Sequence, residues 1–295
     1  MEQFDRCAEQ HRLRVPRTDP AFPAGTAVAA GIPRCLEDAH GYLPGMERHR
    51  TLAAIVAAIV VVAVAVLVVD AFLTPRPTRI ALYGDSLSMQ SAQDFQFLAV
   101  ESGKTTLLGG YGGIAPCDVL PRLDGDATSW HPDVAVLEFV GDDLTPCMRG
   151  YAAGTPAYYA KYRRDITTAV HLLRSHGVSV VLIGGPLVKD QVDSRNVERL
   201  NAMYKAVASS TSGVLYVDAG SSVLANGQFT WTLPCLSSEP QCTGPSGTNV
   251  VRSPDGRHFC PSGATSIQGQ YDVCSVYSSG AYRFASAMLR TADNA

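Results

Sequence analysis

One uninterrupted apolar run limits this chain more than any other feature. Residues 52–69 read LAAIVAAIVVVAVAVLVV, 18 positions without a polar side chain. As a helix the run is roughly 27 Å long, about the thickness of a bilayer's hydrocarbon core. It has no polar face, so it does not suit the half-buried helix of a soluble core. Its length exceeds the usual apolar region of a secretory signal, and Val69-Asp70-Ala71 is a poor cleavage site. The expectation is therefore a transmembrane signal anchor over residues 51–73. The alternative is a secreted protein cleaved near Ala71. Arg48, His49 and Arg50 precede the run directly, whereas Arg76 and Arg79 follow at a distance. The basic flank is expected to stay cytoplasmic, putting everything after residue 73 outside the cytoplasm in a single-pass arrangement at the cell membrane.

Residues 1–50 hold seven acids and seven bases and show no sustained period. They read as a disordered cytoplasmic tail, or as a mis-assigned start with Met46 the true one, since MERHR before an apolar run is how exported proteins begin. Cysteine usage agrees with export. Cys7 and Cys35 precede the run, while Cys117, Cys147, Cys235, Cys242, Cys260 and Cys274 follow it. An even number in an oxidising compartment suggests three disulfides. Pairing sequence neighbours gives Cys117 with Cys147, Cys235 with Cys242, and Cys260 with Cys274. No cysteine pair has zinc-finger spacing, so no metal is expected, and no cofactor is called for. A net charge of −3 offers no basic field, which argues against nucleic acid as a partner.

Beyond a linker at 74–77, residues 78–295 read as one domain alternating short apolar strands with helices. Strands are expected at 79–83, 105–108, 133–140, 179–183 and 214–217. Helices are expected at 87–101, 158–176, 196–209 and 282–291. That alternation means an α/β fold, a mostly parallel sheet of about five strands covered on both faces. Between Gly220 and Cys260 lies a long Ser-, Pro- and Gly-rich stretch, of the kind that is usually functional or disordered. Trp231 within it could stack on a sugar ring, although packing is the commoner use.

In such sheets the ligand site forms beyond the carboxyl ends of the strands. The first strand ends in Gly84-Asp85-Ser86-Leu87. A serine at a strand-to-helix turn offers an exposed hydroxyl and helix-terminal amides to a developing oxyanion. The plainer reading is that Asp85 or Ser86 caps the helix. A nucleophilic serine needs a base, and the base an orienting group. Asp255-Gly256-Arg257-His258 places an acid and a histidine three apart on a Gly-containing loop. The other histidines precede the apolar run, lie on a predicted helix or, like His131, precede a proline.

GDSL after the first strand and D-x-x-H before the last helix resemble the SGNH/GDSL hydrolase family, over about residues 78–290. The resemblance implies a flavodoxin-like three-layer α/β/α sandwich and a Ser-His-Asp triad of Ser86, His258 and Asp255. It implies an oxyanion hole built from the Ser86 amide, a glycine of the Gly112-Gly113 pair, with Gly113 preferred, and the residue at position 142. There the chain departs from the family. The pattern is Gly-x-Asn-Asp, and this sequence has Val140-Gly141-Asp142-Asp143. An ionised carboxylate cannot donate to an oxyanion and would repel it. Either Asp142 donates as a neutral acid, or the hole relies on amides alone, or catalysis is lost.

The expected function is an extracytoplasmic serine esterase acting on short acyl esters of cell-envelope carbohydrate or glycolipid. The alternatives are an O-acyltransferase of the same substrates and a catalytically degenerate envelope-binding module. The expected partners are an acyl-ester substrate and the membrane, through residues 52–69. Beyond Asp70 there are 17 bases against 19 acids, so an anionic polymer is not favoured.

Overall fold

A computed structural model of the chain describes residues 55–62, 76–267 and 271–292, the side chains of 264–273 excepted. The chain divides into two compact units, Met1–Leu73 and Thr74–Ala295. Of the first, residues 55–62 are described. They are helical (α1), and their side chains are exposed. The remainder of the expected anchor, the tail at 1–50 and part of the 74–77 linker lie outside the described residues. Among the described residues no helix is long and apolar enough to cross a membrane.

The second unit is an α/β sandwich. Its strands are β1 (Arg79–Gly84), β2 (Thr105–Leu108), β3 (Val134–Glu138), β4 (Ser179–Ile183) and β5 (Val214–Val217). They pair in the order β2-β1-β3-β4-β5, every pair parallel. That is the flavodoxin-like order, with its switch point between β1 and β3. Five main helices accompany the sheet: α2 (Ser86–Glu101), α3 (Pro116–Trp130), α4 (Pro156–Ser175), α5 (Gln191–Ser209) and α6 (Ser279–Ala292).

The period-two alternation of each strand sorts its side chains between two cores. Ile80, Leu82, Val134, Val136, Val181 and Ile183 face α2 and α6, meeting Phe95, Phe284 and Met288. Ala81, Tyr83, Ala135, Leu137, Val180 and Leu182 face α3, α4 and α5. Since both faces are covered, β1, β3 and β4 carry almost nothing but apolar residues. Helix starts follow local chemistry. Asp85, Thr155 and Asp190 accept from amides of the first turns of α2, α4 and α5.

Two parts of the sequence reading need correction. Helix α3 was not expected, because Pro121 and Gly125 interrupt it and its buried stripe is sparse: Val119, Leu123 and Ala127. Cys117 and Pro116 open it, proline being well placed in a first helical turn. The Gly220–Cys260 stretch is more ordered than a plain loop. It forms two small antiparallel pairs, β6 (Leu224–Ala225) with β7 (Gln228–Phe229) and β8 (Thr232–Pro234) with β9 (Thr248–Val250). A further pair, β10 (Ala264–Ile267) with β11 (Tyr271–Cys274), precedes α6.

Candidate active site

Ser86 is the first residue of α2 and stands at the carboxyl end of β1, half-buried. The turn is tight. Gly84 has room for no side chain, since a Cβ there would lie 2.2 Å from the Glu138 carbonyl oxygen and 2.5 Å from Ser88 Oγ. Asp85 is fully buried, and its carboxylate accepts from the amides of Leu87 at 3.1 Å and Val140 at 2.6 Å. The expected capping role therefore belongs to Asp85, which leaves the Ser86 hydroxyl free of the backbone.

That hydroxyl meets His258. His258 Nε2 lies 3.0 Å from Ser86 Oγ, across 172 positions of sequence. On its other side, His258 Nδ1 lies 2.6 Å from Asp255 Oδ2. Asp255 Oδ1 accepts from the amides of Arg257 at 2.8 Å and His258 at 3.0 Å. Partial burial works against the Asp255 charge, but hydrogen bonds from the His258 ring and these two amides outweigh it. The carboxyl is held below its ordinary range. A carboxylate facing Nδ1 sets the tautomer with the proton on Nδ1 and the lone pair of Nε2 toward the serine. The structure thus brings Ser86, His258 and Asp255 together in hydrogen-bonded sequence.

The segment after β3 forms the opposite wall. Three tyrosine hydroxyls strap its carbonyls. Tyr204 donates to Phe139 O at 2.7 Å, Tyr158 to Gly141 O at 2.8 Å and Tyr162 to Asp142 O at 2.7 Å. Gly141 has φ +116°, a conformation that favours glycine, and a Cβ there would strike the Tyr158 hydroxyl. Asp142 is half-buried, with Arg257 and His258 near enough to act on its carboxyl. Burial pushes its carboxyl above the ordinary range, and the influence of Arg257 and His258 only partly offsets that. Of the Gly112-Gly113 pair, Gly112 is the neighbour of Ser86, since a Cβ built on it would lie 4.0 Å from Ser86 Cβ. Gly113 faces open space and turns the loop at φ +75°.

A cavity of about 230 Å³ opens beside the serine turn, lined in part by Leu87, Val140, Asp142, Asn196 and Arg257. Arg257 is ion-paired with Asp193 of α5 on its rim. Trp231 lies against Phe229 edge-to-face and under the Lys189 ammonium at 5.5 Å. The six outer cysteines pair as Cys117–Cys147, Cys235–Cys242 and Cys260–Cys274. Cys117, Asp118 and Cys147 form the one group of acids, histidines and cysteines close enough to share an ion among the described residues, and both its sulfurs are spent in a disulfide.

Sequence reasoning missed Glu138 and the three strapping tyrosines. In the sequence Glu138 is one letter of the apolar run at 133–140, and the tyrosines fall within the helices expected at 158–176 and 196–209. The nearest signal was an acidic residue in a strand otherwise apolar on both faces.

The structure is similar to a protein of Bacteroides fragilis assigned as an acylhydrolase, at 18% identity and a TM-score of 0.48, covering 75% of this chain and 91% of that one. It is similar to an acetylxylan esterase from Geobacillus stearothermophilus, at 14% identity and a TM-score of 0.40, covering 49% and 77%. It is also similar to a protein of Desulfitobacterium hafniense assigned to the G-D-S-L lipolytic family, at 13% identity and a TM-score of 0.42, covering 51% and 82%. These likenesses are distant. No curated protein matches the sequence at a significant level. The profile of a family described as "Protein of unknown function (DUF459)" matches residues 117–272, more than half of the chain, taking in Asp142, Asp255 and His258, and the chain belongs to that family.

Proposed function

We propose that this protein is a serine ester hydrolase acting on short acyl esters, with Ser86 as nucleophile, His258 as general base and Asp255 as its orienting group. One observation carries the reading: the unbroken contact from Asp255 through His258 to Ser86. His258 Nε2 takes the proton of Ser86 Oγ as the oxygen attacks the acyl carbon. Asp255 stabilises the imidazolium. The amide of Ser86, at a helix N-terminus, and that of the Gly112-Gly113 turn supply the oxyanion donors. Collapse expels the alcohol, which takes the proton from His258. Water then repeats the sequence on the acyl-enzyme and releases the acid. An acceptor hydroxyl in place of water would give acyl transfer from the same intermediate.

The natural substrate in this reading is a short acyl ester of envelope carbohydrate or glycolipid. The domain is held outside the cytoplasm by an anchor at residues 52–69. Three disulfides support an oxidising compartment, and the modest cavity supports a small acyl group. A second reading, an envelope-binding module without turnover, is favoured by the carboxyl at Asp142. A fluorophosphonate probe separates the two, because only an activated serine reacts. The full-length protein is expected to label and to hydrolyse p-nitrophenyl acetate, and Ser86→Ala to lose both by a factor on the order of 10⁴–10⁶. Hydrolysis unchanged in Ser86→Ala ends the proposal.

A further inference from the structure

Beneath the serine turn two carboxyl groups meet without solvent. Asp85 and Glu138 are both fully buried. Asp85 accepts two backbone amides, one from each side of the site, Leu87 of α2 and Val140 after β3. Glu138 accepts one, Ser88 N at 3.1 Å on Oε2, and its Oε1 is buried with no N–H or hydroxyl donor facing it. The two side chains are neighbours: they hold the consecutive amides of Leu87 and Ser88, and Asp85 N donates to Glu138 O at 3.1 Å. Neither acid forms an ion pair among the described residues. A hydrogen bond between two carboxyls requires a proton on one of them. Two adjacent carboxylates cannot both be ionised in a dry site without a cation. The donor count says which keeps the proton. Asp85, with a backbone amide on each oxygen, is the ion, and Glu138, with an oxygen that no donor reaches, is the acid.

We propose that Glu138 is a positioning residue which, as a neutral acid, donates its proton to the Asp85 carboxylate and so locks the Ser86 turn to the segment that follows β3. Through Ser88, Leu87 and Val140 the pair joins the two backbones that flank the oxyanion site. The other titratable groups facing it are Asp142 in the segment after β3, Tyr162 on α4 and Tyr204 on α5, none of them cationic. Burial and then the Asp142 charge raise Asp85 to about 7, and burial and then the Asp85 charge raise Glu138 well above its ordinary range. Removing the shared proton at alkaline pH sets two negative charges against each other and releases the lock.

The inference rests on Ser86 being the nucleophile, so its test has one arm that reads activity and one that does not. Glu138→Gln keeps an acceptor for Ser88 and an N–H for Asp85 but cannot titrate, whereas Glu138→Leu keeps neither. With p-nitrophenyl acetate, Glu138→Gln is expected to hold kcat within about threefold of wild type at neutral pH and to lose the alkaline decline that the pair produces. Glu138→Leu is expected to lower kcat by about tenfold or more with KM little changed, since small displacements of reacting groups cost up to roughly 10²-fold. The second arm is thermal melting against pH. A carboxyl protonated in the fold but ionised when unfolded contributes stability that is full below its unfolded pKa. That stability is lost as pH rises through the folded one. The melting temperature of wild type should therefore fall relative to Glu138→Gln as pH rises, whether or not the protein turns over ester. A melting difference flat with pH overturns the shared proton. Glu138→Gln falling as far as Glu138→Leu in kcat overturns the positioning role. Absence of any Ser86-dependent hydrolysis in wild type overturns the esterase reading and with it that role, and leaves the melting arm to decide the proton.

Discussion

The two halves of the candidate site are held in different ways. The nucleophile half is built into the sheet. Ser86 follows β1 directly, Asp85 beneath it is fully buried, and the facing segment after β3 is strapped by three tyrosine hydroxyls from α4 and α5. The base half is a loop over the sheet's rim. The His258 side chain is 28% exposed and that of Asp255 49%. Short ties fix this loop: the Phe259 amide to Gln90 of α2 at 2.9 Å, the Lys189 amide to Gly256 O at 2.9 Å, the Arg257–Asp193 ion pair, and the Cys260–Cys274 disulfide two residues beyond the histidine. A core-built half tolerates surface change but no intrusion, while a tethered half depends on each tether. Catalysis by loop residues on a rigid scaffold commonly divides this way.

The largest effect that separates the halves is expected at the orienting acid. Asp255→Asn keeps the shape of the loop but favours the wrong histidine tautomer, and should lower kcat by about 10⁴-fold. The cost to stability should be small, because the group is half exposed. Steady-state kinetics beside thermal melting checks both. A loss below about tenfold would mean that something other than Asp255 orients His258.

Next come the tethers. Replacing Cys260 and Cys274 together by serine opens a loop of sequence separation 14 and should cost about 3 kcal/mol of unfolding free energy. Opening Cys117–Cys147, at separation 30, should cost slightly more, about 3.5 kcal/mol. The activities should run the other way. The first pair adjoins the base loop and its loss should lower kcat several-fold in the still-folded protein, whereas the second joins α3 to the turn at Pro146–Met148 and should leave kcat nearer wild type. Urea unfolding with activity measured before the transition decides it, and equal kcat in the two variants would erase the distinction between halves.

The contrast also explains what the sequence made legible. Strands β2, β4 and β5 could be placed to the residue, because each is a short apolar run bounded by turn signals. Ser86 and the Asp255–His258 pair were legible because each is a local pattern, a serine after a strand and an acid three before a histidine. That the two patterns meet needs the sheet order, which no local window contains. Helix α3 was hidden by Pro121 and Gly125, which count against a helix in a window and are tolerated in the fold. Glu138 and Tyr158, Tyr162 and Tyr204 were illegible for another reason. A buried polar group announces itself only through its partners, and theirs lie as far as 65 positions away in sequence. In the Gly112-Gly113 pair the sequence does not say which residue takes the positive φ, and in the fold it is Gly113.

Asp142 is where the halves touch, since its backbone is strapped by Tyr162 and its carboxyl feels Arg257 and His258 of the base loop. Burial raises that carboxyl, so the neutral acid persists to higher pH than for an exposed aspartate. In the proposed reaction the neutral acid donates to the oxyanion as the amide of asparagine would. Once ionised, it repels the same charge. Asp142→Asn replaces a titrating donor by a permanent one. The ratio of variant to wild-type kcat should therefore lie near one at acid pH and climb as pH rises through the raised pKa. At the alkaline end it should reach about tenfold, below the 10²–10³ typical of a lost oxyanion donor because the amides of the hole remain. The stability sign is the same. A raised carboxyl contributes stability that is full below its unfolded pKa and lost as pH rises, so the variant should also melt higher than wild type at alkaline pH. A kcat ratio below one at every pH would mean that the Asp142 charge serves the reaction, either by holding Arg257 or by stabilising the His258 imidazolium. The base half would then depend on the nucleophile half for more than a place to dock.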